Sequence, residues 1–163
     1  DSLTWQELKE RSTTVALALA SALGFGVDAA PAAGKPVALL MRRSCTWLAA
    51  TFAVLRCGRP FVWLSAGEAH PEGRNGAVAT SESSSAKEEK WWLRNAAALR
   101  LTAPCCVVVS EDAHPDAAPR LREAEADRLP VMFQLRELMA FPRAPDYARD
   151  SLAAASHVTP DRT

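Results

Sequence analysis

The residues of this chain that could carry chemistry are few and scattered. Four cysteines (Cys45, Cys57, Cys105, Cys106) and three histidines (His70, His114, His157) supply every thiol and imidazole. A zinc site needs such residues at paired spacings, and no Cys or His partner stands at ligand distance in sequence from any of them. Cys105 and Cys106 are neighbours in an apolar run. On a strand, neighbours point to opposite faces, so the two sulfurs are expected to diverge and to pack in the core. A Ser–His–Asp hydrolase would need a strand-to-helix elbow of the G-x-S-x-G kind, which the sequence lacks. Asp112 and Asp116 flanking His114 are instead expected to be turn chemistry. A phosphate cradle needs consecutive glycines and small hydroxyl residues whose backbone N–H groups converge on the anion. The nearest candidate, Gly24-Phe25-Gly26, follows a helix instead of opening one, so it fits a helix C-cap. Arg42-Arg43 leave an apolar run at the end where ligands gather in open parallel sheets, although a solvated strand exit has the same composition. Lys87-Glu88-Glu89-Lys90 suit a solvated helix start. Of Trp91-Trp92, one ring is expected in the core and one near the surface, available to a partner. These residues nominate no catalytic, cofactor-binding or metal-ligating side chain within the chain.

Composition narrows the classes further. Lys plus Arg and Asp plus Glu both number 19, so there is no net field to draw nucleic acid or an anionic membrane. The apolar stretches Val15 to Ala22 and Trp47 to Leu55 are too short to span a bilayer. Cysteines without a framework spacing predict a reduced, cytoplasmic protein. No initiator Met and no basic-then-apolar leader opens the sequence, and both ends are expected to be boundaries within a longer chain.

The elements that would position any site follow from local chemistry. Thr4 and Glu7 form a capping box, with Leu3 and Leu8 at the two staple positions around it. Leu8, Val15, Leu19, Ala22 and Leu23 recur at helical spacing, and Gly24 ends the helix. Pro36 to Met41 is a continuous apolar run, as in a parallel strand covered on both faces. Ser44 caps a second helix through Trp47, Leu48, Thr51, Phe52 and Leu55, stopped by Gly58. Phe61 to Leu64 is a second strand. Residues 65–88, with Ser81-Glu82-Ser83-Ser84-Ser85, bury too little apolar surface to offset their ordering entropy and predict an exposed, mobile insertion. A third helix over Trp91, Leu93 and Leu99 precedes Pro104, and Cys105 to Val109 is a third buried strand. Ala117 to Asp127 is helical in composition, and Pro130 to Phe133 is a short fourth strand. Pro142, Pro145 and Pro160 make 139–163 a connecting segment. Alternating helices and strands predict an α/β fold with a mostly parallel sheet flanked by helices.

Several of these segments resemble the AMP-binding, or adenylate-forming, superfamily. Leu3-Thr4-Trp5-Gln6-Glu7-Leu8 resembles its "L-T-Y-x-E-L" opening. Val37 to Arg43, Ser44 and the Leu48 to Leu55 helix are similar to its "V-A-L-L-L-P-R-S" strand and following helix. Leu55 to Leu64 resembles "L-K-A-G-A-A-Y-V-P-L", with Trp63 replacing the proline and Ser65-Ala66 replacing the usual Asp-Pro. Leu101 to Ser110 sits where the family has a strand ending in Thr or Ser, and Leu129 to Leu138 resembles "L-P-V-x-x-L-D-E-L". The matches run in family order over 1–138.

The resemblance implies the N-terminal subdomain of the adenylate-forming ligase fold. It implies a parent enzyme of the acyl-CoA synthetase or amino-acid-activating kind that adenylates a carboxylic acid with ATP and Mg²⁺. The acyl group then passes to a thiol of coenzyme A or a carrier-protein pantetheine. The family's phosphate loop, "T-S-G-T-T-G-x-P-K-G", follows a connector similar to Val158-Thr159-Pro160-Asp161, and no such loop occurs in this sequence. The acyl pocket, the ribose-binding aspartate and the catalytic lysine of the family lie further along still. The expectation is an inactive scaffold whose partner is the remainder of the same polypeptide. A non-catalytic α/β binding or scaffolding module is the alternative. A small doubly wound nucleotide-binding domain would need a Gly-rich turn after a strand, and has none.

Overall fold

The computed structural model describes residues 2–24, 34–66, 82–124 and 130–140, with 82–90 and 124 described by backbone alone. Helix α1 spans Trp5–Leu23 and begins on the expected capping box. Glu7 N–H donates to Thr4 Oγ1 (3.2 Å), while Thr4 N–H donates to the Glu7 carboxylate (2.8 Å). Those hydrogen bonds, the backbone one above all, hold the Glu7 carboxyl below its ordinary value. At the other end Gly24 takes φ +63°, the left-handed cap that a side chain would disfavour.

The sheet strands are β1 (Val37–Leu40), β2 (Phe61–Leu64), β3 (Cys106–Val109) and β4 (Val131–Gln134). All pairings are parallel, and the order is β2-β1-β3-β4. The central strands β1 and β3 are buried along their whole length, which is why they lack polar alternation. Helix α2 spans Cys45–Arg56, with Ser44 Oγ accepting from Trp47 N–H (3.1 Å). Helices α3 (Glu82–Thr102), α4 (Ala117–Ala124) and α5 (Leu135–Met139) complete the described chain.

Two cores lie on opposite sides of the sheet. On one side Val37, Leu39, Met41, Cys106 and Val108 meet Val15, Leu19, Ala50, Ala53, Val54, Leu135 and Leu138 of α1, α2 and α5. On the other, Ala38, Leu40, Leu64, Val107 and Val109 meet Leu99 of α3 and Ala117 and Leu121 of α4. Helices on both faces allow the central strands β1 and β3 to bury alternate side chains in both directions.

Two expectations need correction. Helix α3 starts at Glu82, so 82–88 continue a helix that composition had assigned to the polar insertion. The Ala, Lys and Glu that follow the serines are strong helix formers, and a helix already anchored at Leu99 extends through them at little cost. Residues 67–81 and 141–163 lie outside the described residues. Helix α5, with only five residues, is too short for a helical period to show in sequence, and the second half of the Leu129 to Leu138 stretch forms it. Helix α3 ends on Ala103 at φ +42°, because Pro104 cannot continue the helix and no glycine is present to take the turn.

Candidate functional site at the carboxyl ends of the strands

In this order the chain turns one way from β1 to β2 and crosses back over β1 to reach β3. The reversal lies between β1 and β3, and in open parallel sheets the crevice at that reversal is where ligands bind. The loops above it are 41–44, leading into α2, and 110–116, leading into α4.

Asp112 closes this crevice. Its carboxylate accepts the Arg42 N–H at 3.4 Å, and Ser110 Oγ accepts the Asp112 N–H at 3.4 Å. Asp112 therefore joins two strand ends 70 residues apart, a role its turn-like sequence context did not disclose. The His114 side chain does remain local chemistry. Its Nδ1 accepts the Asp116 N–H (3.3 Å), while its backbone N–H donates to Ala66 O (2.9 Å) beyond the end of β2. An exposed pair, Arg136 to Glu111 at 3.1 Å, spans the ends of β3 and β4.

The arginines differ. Arg43 lies over the Trp63 ring, its guanidinium carbon 4.6 Å from the centroid, and Trp63 Nε1–H donates to Met41 O (3.0 Å). An indole stands where the family has proline, pinned by one cation and one carbonyl at the sheet's β2 edge. Asn95, which residue-by-residue reading passed over, is 2% exposed and grips the end of β2. Its Oδ1 accepts Ser65 N–H (2.9 Å) and its Nδ2 donates to Ser65 O (2.8 Å). The one available signal was an amide in a helical stretch, Trp91 to Leu99, whose other residues are apolar except Arg94. Trp47 Nε1–H, at the start of α2, is buried with no hydrogen-bond acceptor among the described residues.

These groups do not compose a nucleotide site by themselves. Ser44 Oγ is occupied as a helix cap, the Arg42 N–H is occupied by a carboxylate, and no run of backbone N–H groups converges above the crevice among the described residues. Lys87 to Lys90 lie in the first turns of α3; His70 and His157 lie outside the described residues.

The cysteines are arranged differently from the expectation. Cys105 precedes β3, in the bend after Pro104, so strand alternation does not apply to it. It packs against the same core that contains Cys106, as does Cys57 at the end of α2. Cys57 Sγ lies 3.4 Å from Ala16 O and Cys105 Sγ 3.4 Å from Pro36 O. Burial pushes the Cys57 thiol up to about 11 and raises Cys106 as well, so both are held as unreactive thiols at neutral pH. Among the described residues no three His, Cys, Asp or Glu side chains are placed to hold a metal ion. Trp91 and Trp92 also depart from the expectation. Both are half-buried against the α3/α4-side core, their rings edge to face at 6.2 Å.

The family described as AMP-binding enzyme matches residues 1–155. Among solved structures, the chain is similar to one from a study of fatty acyl-adenylate ligases from E. coli and L. pneumophila. That match has a TM-score of 0.58 and 22% identity, and covers 87% of this chain and 21% of the other. Another similar structure is the A-PCP didomain of a carboxylic acid reductase from Segniliparus rugosus in complex with AMP, with a TM-score of 0.47, 22% identity, and coverage of 89% and 21%. No curated protein sequence matches the chain. No described helix is long and apolar enough to cross a membrane.

Proposed function

The chain belongs to the AMP-binding enzyme family, and on that premise we propose that it is the N-terminal scaffold of an ATP-dependent acid–thiol ligase. The observation that carries the proposal is coverage. The family match takes in 155 of the 163 residues, yet the chain spans only about a fifth of the similar ligase structure. The parent would adenylate a carboxylic acid with ATP and Mg²⁺, releasing pyrophosphate, and pass the acyl group to coenzyme A or a carrier-protein thiol. The part described above supplies the sheet and its two helical layers, and the phosphate loop and acid pocket belong to later residues. No side chain in the crevice between β1 and β3 is assigned a catalytic role. Asp112, Asn95 and Trp63 hold the strand ends against one another, which gives a later loop a fixed platform.

Acid-dependent ATP–pyrophosphate exchange tests this directly. The parent polypeptide is expected to catalyse exchange with at least one fatty, aryl or amino acid, and residues 1–163 alone are expected to catalyse none. Exchange by the 163-residue chain would refute the scaffold assignment. A parent lacking a Thr/Ser/Gly-rich loop ending in Lys downstream of Thr163 would favour a non-catalytic binding module instead.

A further inference from the structure

Helix α3 separates its charges by sign. Its inward residues Asn95, Ala96 and Leu99 are buried. Outward, Leu93 and Leu101 are 59% and 87% exposed, and Arg94, Ala97 and Arg100 between them are exposed as well. Leu93, Ala97 and Leu101 recur every four residues and so share one face of the helix. A helix nearly repeats after seven residues, which carries these rows back into the first turns of α3. Lys87 falls in the row of Arg94, and Lys90 in the row of Ala97, both outward. Glu88 falls in the row of Asn95, and Glu82 and Glu89 in the row of Ala96, the two rows that meet the core further along. The outer rows of α3 therefore hold basic and apolar residues and no acid, although the chain as a whole has zero net charge. On the same side of the sheet α4 adds exposed Arg120 and Arg122, beside the single acid Glu123.

We propose that the outer face of α3 docks the protein on an anionic lipid membrane, with Leu93 and Leu101 entering the headgroup boundary and Arg94 among the groups that meet the lipid charge. Docking of this kind does not rest on the ligase reading. Charge and spacing select the occupant. Basic residues beside protruding leucines are what a helix lying in an anionic interface presents, because the lipid surface potential attracts each cation and the acyl boundary takes the leucines. The two leucines stand about 12 Å apart along the axis, with arginine between them. A protein partner needs a contiguous patch of about 800 Å² with an apolar centre, which two separated leucines do not make. A bilayer takes each leucine independently, and the long basic side chains keep their charges at headgroup level. A second copy of the chain would set the same cationic rows against each other and meet like-charge repulsion. Arg100 stands on the same face with an interaction of its own within the chain, so the attraction is assigned to Arg94 and to the lysine positions before it. The helix lies on the surface and does not cross it, since no described helix is long and apolar enough to span a bilayer.

Vesicle sedimentation tests this on the whole polypeptide that carries the chain. Phosphatidylcholine vesicles containing about a third phosphatidylserine are expected to bring it down, and pure phosphatidylcholine vesicles to leave it in solution. Raising the salt from about 0.05 M to 0.5 M should lower the bound fraction at least about fivefold, because exposed charges are then screened. Leu101→Gln and Arg94→Gln should each weaken binding about three- to tenfold while moving the melting temperature by less than about 2 °C, as both sites are exposed. Trp5→Gln, on the opposite side of the sheet and 74% exposed, should leave binding unchanged. Failure to sediment with the anionic vesicles would overturn the proposal. So would binding that Leu101→Gln and Arg94→Gln leave intact, or that Trp5→Gln weakens equally, since another face would then be the one that docks. Retention on an immobilised acidic helical peptide without any binding to vesicles would also overturn it, in favour of a protein partner.

Discussion

The two sides of the sheet use the same inner chemistry, but the helices α2 and α4 that cover them differ in outer chemistry. Leu39 and Leu40 are neighbours on β1, both fully buried, one under α1 and α2 and the other under α3 and α4. Yet α2 turns Phe52 and Leu55 outward, whereas α4 turns Arg120 and Arg122 outward. Inward patterning tells only that a helix meets a core. Outward patterning tells what lies beyond it, because an apolar outer stripe facing water forgoes the transfer free energy that burial supplies. The outer face of α4 has the composition of a solvated surface, whereas α2, like α3 with Leu93 and Leu101, turns large apolar side chains outward.

The largest effect expected is at β1. Leu39→Ala and Leu40→Ala should each destabilise the chain by about 3 kcal/mol in urea unfolding, since both leave a cavity in a closed core. A much smaller loss at Leu39 would mean that the α1/α2 side is loosely packed, and would weaken the symmetry of the inner faces. Next, Asn95→Ala should cost about 2–3 kcal/mol by the same measurement, because Ser65 N–H and C=O lose both partners where water has little access. An indifferent Asn95→Ala would show that the end of β2 is held by something other than α3.

Smaller effects sit at the helix ends. Thr4→Ala should cost about 1 kcal/mol, the usual value of an N-cap. The Glu7 half of the box carries a pH signature. Its folded carboxyl lies below the ordinary 4.5, so its contribution is present above that value and is lost as pH falls through the folded one. Thermal melts of the parent sequence and of Glu7→Gln should therefore converge in acid and separate toward neutrality. Ala103→Gly should act in the opposite direction, raising stability by about 0.5–1 kcal/mol, because it removes a side chain from a left-handed backbone position. A loss there would show that the methyl group contributes more by packing than the backbone strain costs.

Much of this architecture was legible in the sequence wherever one local interaction decides. The box at Thr4 and Glu7, the caps at Gly24 and Ser44, and the uninterrupted apolar runs of β1 and β3 each have a cause within a few residues. The family could be named from ordered segments for the same reason, and the match over 1–155 bears that out. Legibility failed where the cause lies far along the chain. Cys105 was expected to diverge from Cys106, but a bend after Pro104 places both against one core. Asp112 does sit in a turn, its N–H on Ser110 Oγ, but its carboxylate also accepts the Arg42 amide from 70 positions away, which the sequence did not disclose. Asn95 gave no motif, since its partners are main-chain groups of Ser65.

The sequence by itself determined most of the helices and strands, the start of α3 and the short α5 excepted, and that the strands run parallel, because propensity, capping and burial on both faces are written in composition and spacing. Only the tertiary structure decided the order β2-β1-β3-β4, and with it the crevice between β1 and β3 and the clamp on Ser65. Strand order depends on which crossover goes to which side, a choice made by contacts between distant residues. It also decided which side of α2 faces the sheet. The apolar residues of α2 were visible in the sequence, but that Ala50, Ala53 and Val54 would meet the sheet while Phe52 and Leu55 face away from it could be seen only once the helix was in place.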